Sequence, residues 1–104
     1  MTVSDRHQRQ AIDRNFSSVV DFLERKFRKN HIHLREVPSY FYQGNESKLE
    51  VTVYSHPNIA RIDVRKIDLK NYDREPAFES SYDLNSLSIT TFEREIDDLI
   101  SKIK

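Results

Sequence analysis

The fold is decided by residues 49–65, which read LEVTVYSHPNIARIDVR. Apolar and polar side chains alternate on both sides of a Pro57-Asn58 turn, which is the pattern of a half-buried β-hairpin. Closing the hairpin over that turn fixes one register for five facing pairs, Val53–Ile62, Val51–Val64, Tyr54–Arg61, Thr52–Asp63 and Glu50–Arg65. The first two pairs are apolar and the other three are polar or charged. Since both faces agree on one register, the segment predicts an antiparallel hairpin with one buried side.

Two amphipathic helical patterns enclose the strands, each with its apolar residues in a stripe about 100° wide. The first is predicted over residues 5–29, capped by Ser4 and ending near Asn30. Its stripe comprises Ile12, Phe16, Val19, Val20, Leu23 and Phe27. Phe22 lies about 60° off this stripe and is expected at the edge of the core. The second helix is predicted over residues 89–103, starting near Ser88, with a stripe of Ile89, Phe92, Ile96, Leu99, Ile100 and Ile103.

The remaining strands are placed by the same alternation. Ile32 and Leu34 predict a strand that Pro38 bends and that continues through residues 40–42 to a turn at Gly44-Asn45. Beyond Arg65 the apolar parity flips, which predicts a β-bulge. Residues 70–77 read as a polar loop, and residues 78–84 as a weaker last strand.

Together these elements predict an α+β fold of two layers in the order αβββ(β)α. The two terminal helices pack on one face of an antiparallel sheet, because both stripes need the same apolar surface. The chain of 104 residues forms a single domain, residues 1–104, with no repeat or linker inside it. Four strands span about 19 Å, a width that two helices about 9–10 Å apart cover once, so the other sheet face is expected to stay open.

Composition narrows the classes of function. The formal net charge is +0, which argues against a chain that wraps polyanions. No apolar run approaches the roughly 20 residues of a membrane span, and the start Met1-Thr2-Val3-Ser4 is unlike a secretion signal, so we expect a soluble, cytoplasmic protein without membrane contact. There is no cysteine, which excludes thiolate nucleophiles, thiolate zinc sites and disulfides.

The open sheet face carries arginines and aromatic rings. Rings beside guanidinium groups are typical of single-stranded nucleic-acid platforms. The nucleic-acid site predicted here comprises Arg35, Tyr54, Arg61 and Arg65, extended by Arg25, Lys26, Arg28 and Lys29 in the last turn of the first helix. Two duller explanations stay open. The acidic neighbours Glu50 and Asp63 make the face self-complementary, and basic residues at a helix C-terminus also complement the helix dipole.

Three consecutive aromatic residues, Tyr40, Phe41 and Tyr42, form a second candidate site. Strand parity cannot turn all three rings into one core, so at least one must point outward, where tyrosine and phenylalanine often anchor protein partners. If the loop spans Gly44 to Ser47, both tyrosines face the core and only Phe41 is exposed. A loop one residue longer or shorter reverses this, and the whole triplet is predicted as the protein-binding site.

Catalytic constellations are weak. His31 and His33 share a strand face, and His56 or Asp63 is expected nearby. Two histidines with this spacing are more often ordinary solvent-exposed residues than metal ligands. One glycine cannot form a phosphate-binding loop, and no nucleophile–base pair can be named. We therefore predict a non-enzymatic protein-binding module, a regulator, inhibitor or subunit, without cofactor, metal or small-molecule ligand. Its partner is another protein or a second copy of the chain. A nucleic-acid-binding domain is the alternative, and a small nuclease working with Arg, His and Tyr on the open sheet comes third.

Overall fold

The computed structural model describes residues 3–29, 37–56, 58–70 and 78–104. Within these residues, two helices enclose five strands, an α+β architecture in which each strand pairs antiparallel with its neighbour in sequence. The elements are α1 (Val3–Lys26), β1 (Arg28–Lys29), β2 (Ser39–Gln43), β3 (Ser47–His56), β4 (Ile59–Asp68), β5 (Phe78–Asp83) and α2 (Ile89–Ser101). The predicted strand around His31, His33 and Arg35 lies outside the described residues, and so does all of the predicted loop over residues 70–77 except Lys70.

The central hairpin has the register predicted from its alternation. All five predicted pairs are present, within a ladder that extends from Ser47–Asp68 to His56–Ile59. The predicted bulge after Arg65 is wrong, because the ladder continues without interruption and pairs Ile67 with Lys48 on the open face. The apolar pattern changes there because the Ile67 side chain lies on the open face. The hydrogen-bonded ladder of the backbone stays regular.

Both helices pack on the same side of this sheet, as the two-layer prediction requires. The buried sheet residues face one way, and the buried helix residues meet them there. The core comprises Ile12, Val19, Phe22, Leu23, Phe27, Tyr40, Leu49, Val51, Val53, Ile62, Val64, Leu84, Phe92 and Ile96. The predicted stripe of α2 is confirmed, with Phe92 and Ile96 buried and the other four residues partly buried against the core. Ser88 caps α2, accepting a hydrogen bond at Oγ from the backbone N–H of Thr91.

The first helix differs from its prediction at both ends. It already includes Val3 and Ser4, and it ends at Lys26, where residues 28–29 turn into the short strand β1. Between α1 and β1, Phe27 inserts its ring into the core and meets the ring of Tyr42 edge-on at 6.1 Å. Arg28 and Lys29 therefore do not belong to the last helical turn.

Phe22 is the clearest error of the helical prediction. It is 3% exposed, and its ring packs edge-to-face on Phe92 of α2 with 6.1 Å between centroids. The buried side of α1 turns toward Asn15 and Phe22, while Phe16 is only partly buried. This happens because α1 contacts α2 as well as the sheet, so two neighbours widen the apolar stripe.

Polar contacts fasten the ends of the elements. The buried Asn15 side chain donates from Nδ2 to the carbonyl oxygen of Leu84 at 2.8 Å, which satisfies that oxygen where the chain leaves the sheet. The C-terminal residue Lys104 accepts backbone hydrogen bonds from Glu46 and Ser47 at 2.6 and 3.1 Å, so the β2–β3 loop holds the end of the chain. Neither helix is long and apolar enough, over its described residues, to cross a membrane.

Candidate interaction surfaces

The face of the sheet opposite the helices is the first candidate surface, called the open face below. No element in the described ranges packs on it. Acidic and basic side chains alternate across its strands instead of separating into patches. The basic ones are Arg28, Lys48, Arg61 and Arg65, and the acidic ones are Glu50, Asp63, Glu79 and Asp83. Within the described residues these charges balance, so this part of the open face attracts neither polyanions nor polycations by net charge alone.

One corner of the open face holds a fixed aromatic–guanidinium pair. The guanidinium carbon of Arg61 lies 5.1 Å from the ring centroid of Tyr54, a cation–π contact. The guanidinium also donates from Nε to Asp63, which in turn accepts a hydrogen bond from the Ser81 hydroxyl at 2.8 Å. Ile59, on the same face and two residues before Arg61, is 46% exposed. We call Tyr54, Ile59 and Arg61 the open-face cluster.

The aromatic triplet is split between the two faces of the sheet. Tyr40 is 1% exposed and donates its hydroxyl hydrogen bond to Glu24 of α1 at 3.4 Å, so it cannot reach a partner and is removed from the predicted binding site. Burial, together with the Glu24 carboxylate, raises the pKa of this hydroxyl. Phe41 lies on the open face between Arg28 and Glu50, half-buried. Tyr42 faces the helices as predicted for this loop, yet it is 37% exposed at the sheet end, so the prediction that only Phe41 is exposed is wrong.

The basic residues near the end of α1 do not form one patch. Arg25 folds back onto the carbonyl oxygen of Asp21, and Lys26 pairs with Asp97 of α2 at 3.3 Å. Arg28 lies on the open face opposite Phe41, whereas Lys29 pairs with Tyr40 on the helix side. A cleft of about 530 Å³ does bring Lys26 and Arg28 beside Phe41 and Tyr42, which joins parts of the two predicted sites. The position of Arg35 lies outside the described residues.

The outer edge of β5 is a surface that the sequence reasoning did not single out. β5 is the last strand of the sheet, and within residues 3–29, 37–56, 58–70 and 78–104 no strand pairs with its far side. A groove of about 630 Å³ separates this edge from α2 and has Phe78, Tyr82 and Leu99 in its lining. Phe78 is 38% exposed. The signal was present in the sequence, because residues 78–83 contain none of the lysine or proline residues that protect edge strands.

Tyr82 ties this edge strand to α2. Its hydroxyl donates to the Glu95 carboxylate at 2.6 Å, and its ring packs edge-to-face on Phe92. Burial and the bond to Glu95 raise the pKa of Tyr82 to about 12, since ionising the hydroxyl would remove its donated proton and place two negative charges together. At neutral pH the Tyr82 hydroxyl therefore keeps the proton that it donates to Glu95.

The described residues contain no cluster of side chains arranged as metal ligands. No group of three His, Asp or Glu side chains converges there as metal ligands, and His31 and His33 lie outside that part of the chain. Asp63 is already engaged by Arg61 and Ser81, without a histidine in the network.

The sequence matches no known family, and neither curated proteins nor solved structures show significant similarity to it.

Proposed function

We propose that this chain is a non-enzymatic protein-binding module that meets its partner with the open face. The observation that carries the proposal is the open-face cluster, where Arg61 stacks on Tyr54 beside the exposed Ile59. Tyrosine and arginine are enriched at the energetic centres of protein interfaces. Asp63 holds Arg61 in place, so little side-chain entropy is lost when a partner binds.

Nucleic-acid binding is the second candidate, and one specific observation favours it. Arg61 and Arg65 lie on the same face of β4, and the first of them stacks on an aromatic ring. The acidic side chains interleaved with these arginines weaken that candidate, because phosphate binding depends on uncompensated positive charge. Charge balance thus favours a protein partner.

The proposal is tested by site-specific photo-crosslinking in cells that produce the protein. A benzophenone amino acid at position 59 probes the open face, and the same group at the exposed position 21 of α1 is the matched control. We expect defined protein adducts from position 59 only, and at least a tenfold loss of adduct when Arg61→Ala is added, as for a residue near an interface hot spot.

Two outcomes would count against the protein-binding proposal. Adducts that form equally from positions 21 and 59, or that are indifferent to Arg61→Ala, would show that the open-face cluster is not the contact. Adducts that nuclease treatment shortens would favour nucleic acid instead.

A further inference from the structure

The two edges of the sheet are built differently. Within the described residues, the edge strand β1 consists of Arg28 and Lys29, which are both basic. Short length and positive charge are devices that stop an edge strand from pairing with other chains. The other edge strand, β5, has six described residues that read FESSYD, and none of them is basic. In the part of the chain that the structure describes, β5 is therefore the edge strand without positive charge, and no strand pairs with its far side.

The direction of the free backbone groups on β5 follows from one hydrogen bond. Leu84 donates its N–H to the carbonyl oxygen of Ala60 on the β4 side. Because N–H groups point alternately to the two sides of an antiparallel strand, Glu79, Ser81 and Asp83 direct their N–H and C=O groups away from β4. These residues present a regular row of donors and acceptors to an incoming strand.

The side chains around this edge define the incoming strand. On the helix side of the sheet, Phe78 and Tyr82 frame the smaller Ser80. On α2, the groove carries balanced charge, with Arg94 and Lys102 against Glu95 and Asp98. Lys102 and Asp98 already pair with each other at 3.1 Å. A neutral, self-complementary wall of this kind accepts its own copy without net repulsion.

We propose that β5 pairs antiparallel with β5 of a second copy of this chain, about a two-fold axis at Ser80. This register places Phe78 opposite Tyr82 of the second copy, twice by symmetry, at non-hydrogen-bonded positions where side chains approach most closely. Glu79 faces Ser81 of the second copy, and these pairs exchange the main-chain hydrogen bonds. The two sheets become one sheet with a continuous open face.

Comparison with the neighbouring register shows why we place the two-fold axis at Ser80. Shifting the axis to Ser81 would place Glu79 opposite Asp83 of the second copy, and like charges directly opposite are destabilising. It would also replace both aromatic pairs by Ser80 against Tyr82. The axis at Ser80 avoids both losses. The dimer uses a different surface from the open-face cluster, so it does not depend on the proposed function.

The test combines mass measurement with backbone and cysteine variants of the full chain. Light scattering after size exclusion should show a dimer in the micromolar range. Ser81→Pro removes an N–H that points outward and leaves the β4 ladder intact, and we expect it to weaken the dimer about 10–100-fold because the bond occurs twice. Ser81→Ala removes the same hydroxyl but keeps the N–H, and should stay dimeric.

The register is tested by disulfide trapping in this cysteine-free chain. Two Ser80→Cys residues would face each other with Cα atoms about 4.5 Å apart, within disulfide range, whereas two Ser81→Cys residues would lie about 7–8 Å apart. Oxidation should crosslink Ser80→Cys alone. A monomer at every concentration, a dimer that persists in folded Ser81→Pro, or crosslinking at position 81 instead would overturn the proposal. If Ser81→Pro does not fold, the comparison of crosslinking in Ser80→Cys and in Ser81→Cys tests the proposal.

Discussion

At the scale of single residues, one row of aromatic rings joins three elements. Phe22 of α1 meets Phe92 of α2, which meets Tyr82 of β5, each time edge-to-face, with centroid distances of 6.1 and 5.2 Å. Edge-to-face pairs add to the free energy gained by burial alone. Phe92, at 0% exposure, contacts both of its neighbours and is the centre of this row.

The first prediction at this scale compares two phenylalanines of the same helix. Phe22→Ala should lower the free energy of unfolding by about 3–5 kcal/mol, since it opens a cavity beside Phe92. Phe16→Ala should cost clearly less, because Phe16 is only partly buried. Urea melts of both variants measure the difference. A larger loss for Phe16→Ala would mean that the buried side of α1 is the one that periodicity alone predicts.

Phe22 also shows what periodicity cannot predict. The register of the β3–β4 hairpin followed from sequence because two faces had to agree, and a shift by one residue would have mismatched every pair. A helix offers no second face with which to test its pattern. Its apolar stripe indicates that one side is buried, but it does not indicate that a second helix will pack beside it. The burial of Asn15 could not be predicted either, because its hydrogen-bond partner Leu84 is distant in sequence and no local pattern indicates it.

At the scale of elements, the end of α2 and the β2–β3 loop form one unit. Lys104 receives backbone hydrogen bonds from Glu46 and Ser47, and its own N–H donates to the Ser47 hydroxyl at 3.3 Å. A Cβ at Gly44 would lie 2.5 Å from the carbonyl carbon and oxygen of Lys104 and 3.0 Å from a methyl carbon of Ile103. The glycine is therefore needed for close approach of two backbones.

The second prediction is that Gly44→Ala loosens this unit. We expect a loss of about 1–3 kcal/mol, because the added methyl group meets backbone rather than the end of a flexible side chain. Asn45→Ala, at the exposed next position, is the control and should change stability by at most about 0.5 kcal/mol. Amide hydrogen exchange at Glu46 and Ser47 should accelerate in Gly44→Ala alone. Unchanged exchange would contradict the tight approach.

At the scale of the whole molecule, each helix is tied to the sheet by one tyrosine. Tyr40 of β2 donates to Glu24 of α1, and Tyr82 of β5 donates to Glu95 of α2. The pKa of each hydroxyl is raised, first by burial and then by its glutamate. A tyrosine–glutamate hydrogen bond thus joins each helix to the sheet, at 3.4 Å for Tyr40 and at 2.6 Å for Tyr82. The sequence left the direction of Tyr40 dependent on the length of the β2–β3 loop, and no sequence pattern indicated which glutamate either tyrosine would meet.

The last prediction concerns stability at high pH. There, ionisation of the Tyr40 and Tyr82 hydroxyls should break their hydrogen bonds to Glu24 and Glu95. An unfolded tyrosine ionises near pH 10, whereas folded Tyr82 keeps its proton to about pH 12. The stabilisation is complete below pH 10 and decreases as pH rises toward 12, since the unfolded state then binds fewer protons than the native state. The free energy of unfolding should therefore fall over that range, and less steeply in Tyr82→Phe.

Glu95→Gln is the matched variant, because the amide still accepts the hydrogen bond but carries no charge. Its slope between pH 10 and 12 should lie between those of the wild type and Tyr82→Phe, since burial still raises the Tyr82 pKa while the charge repulsion is gone. Lysine ionisation affects all three proteins alike and cancels in the comparison. Identical slopes in urea melts of the wild type and Tyr82→Phe would show that the bond to Glu95 does not hold α2 to the sheet in solution.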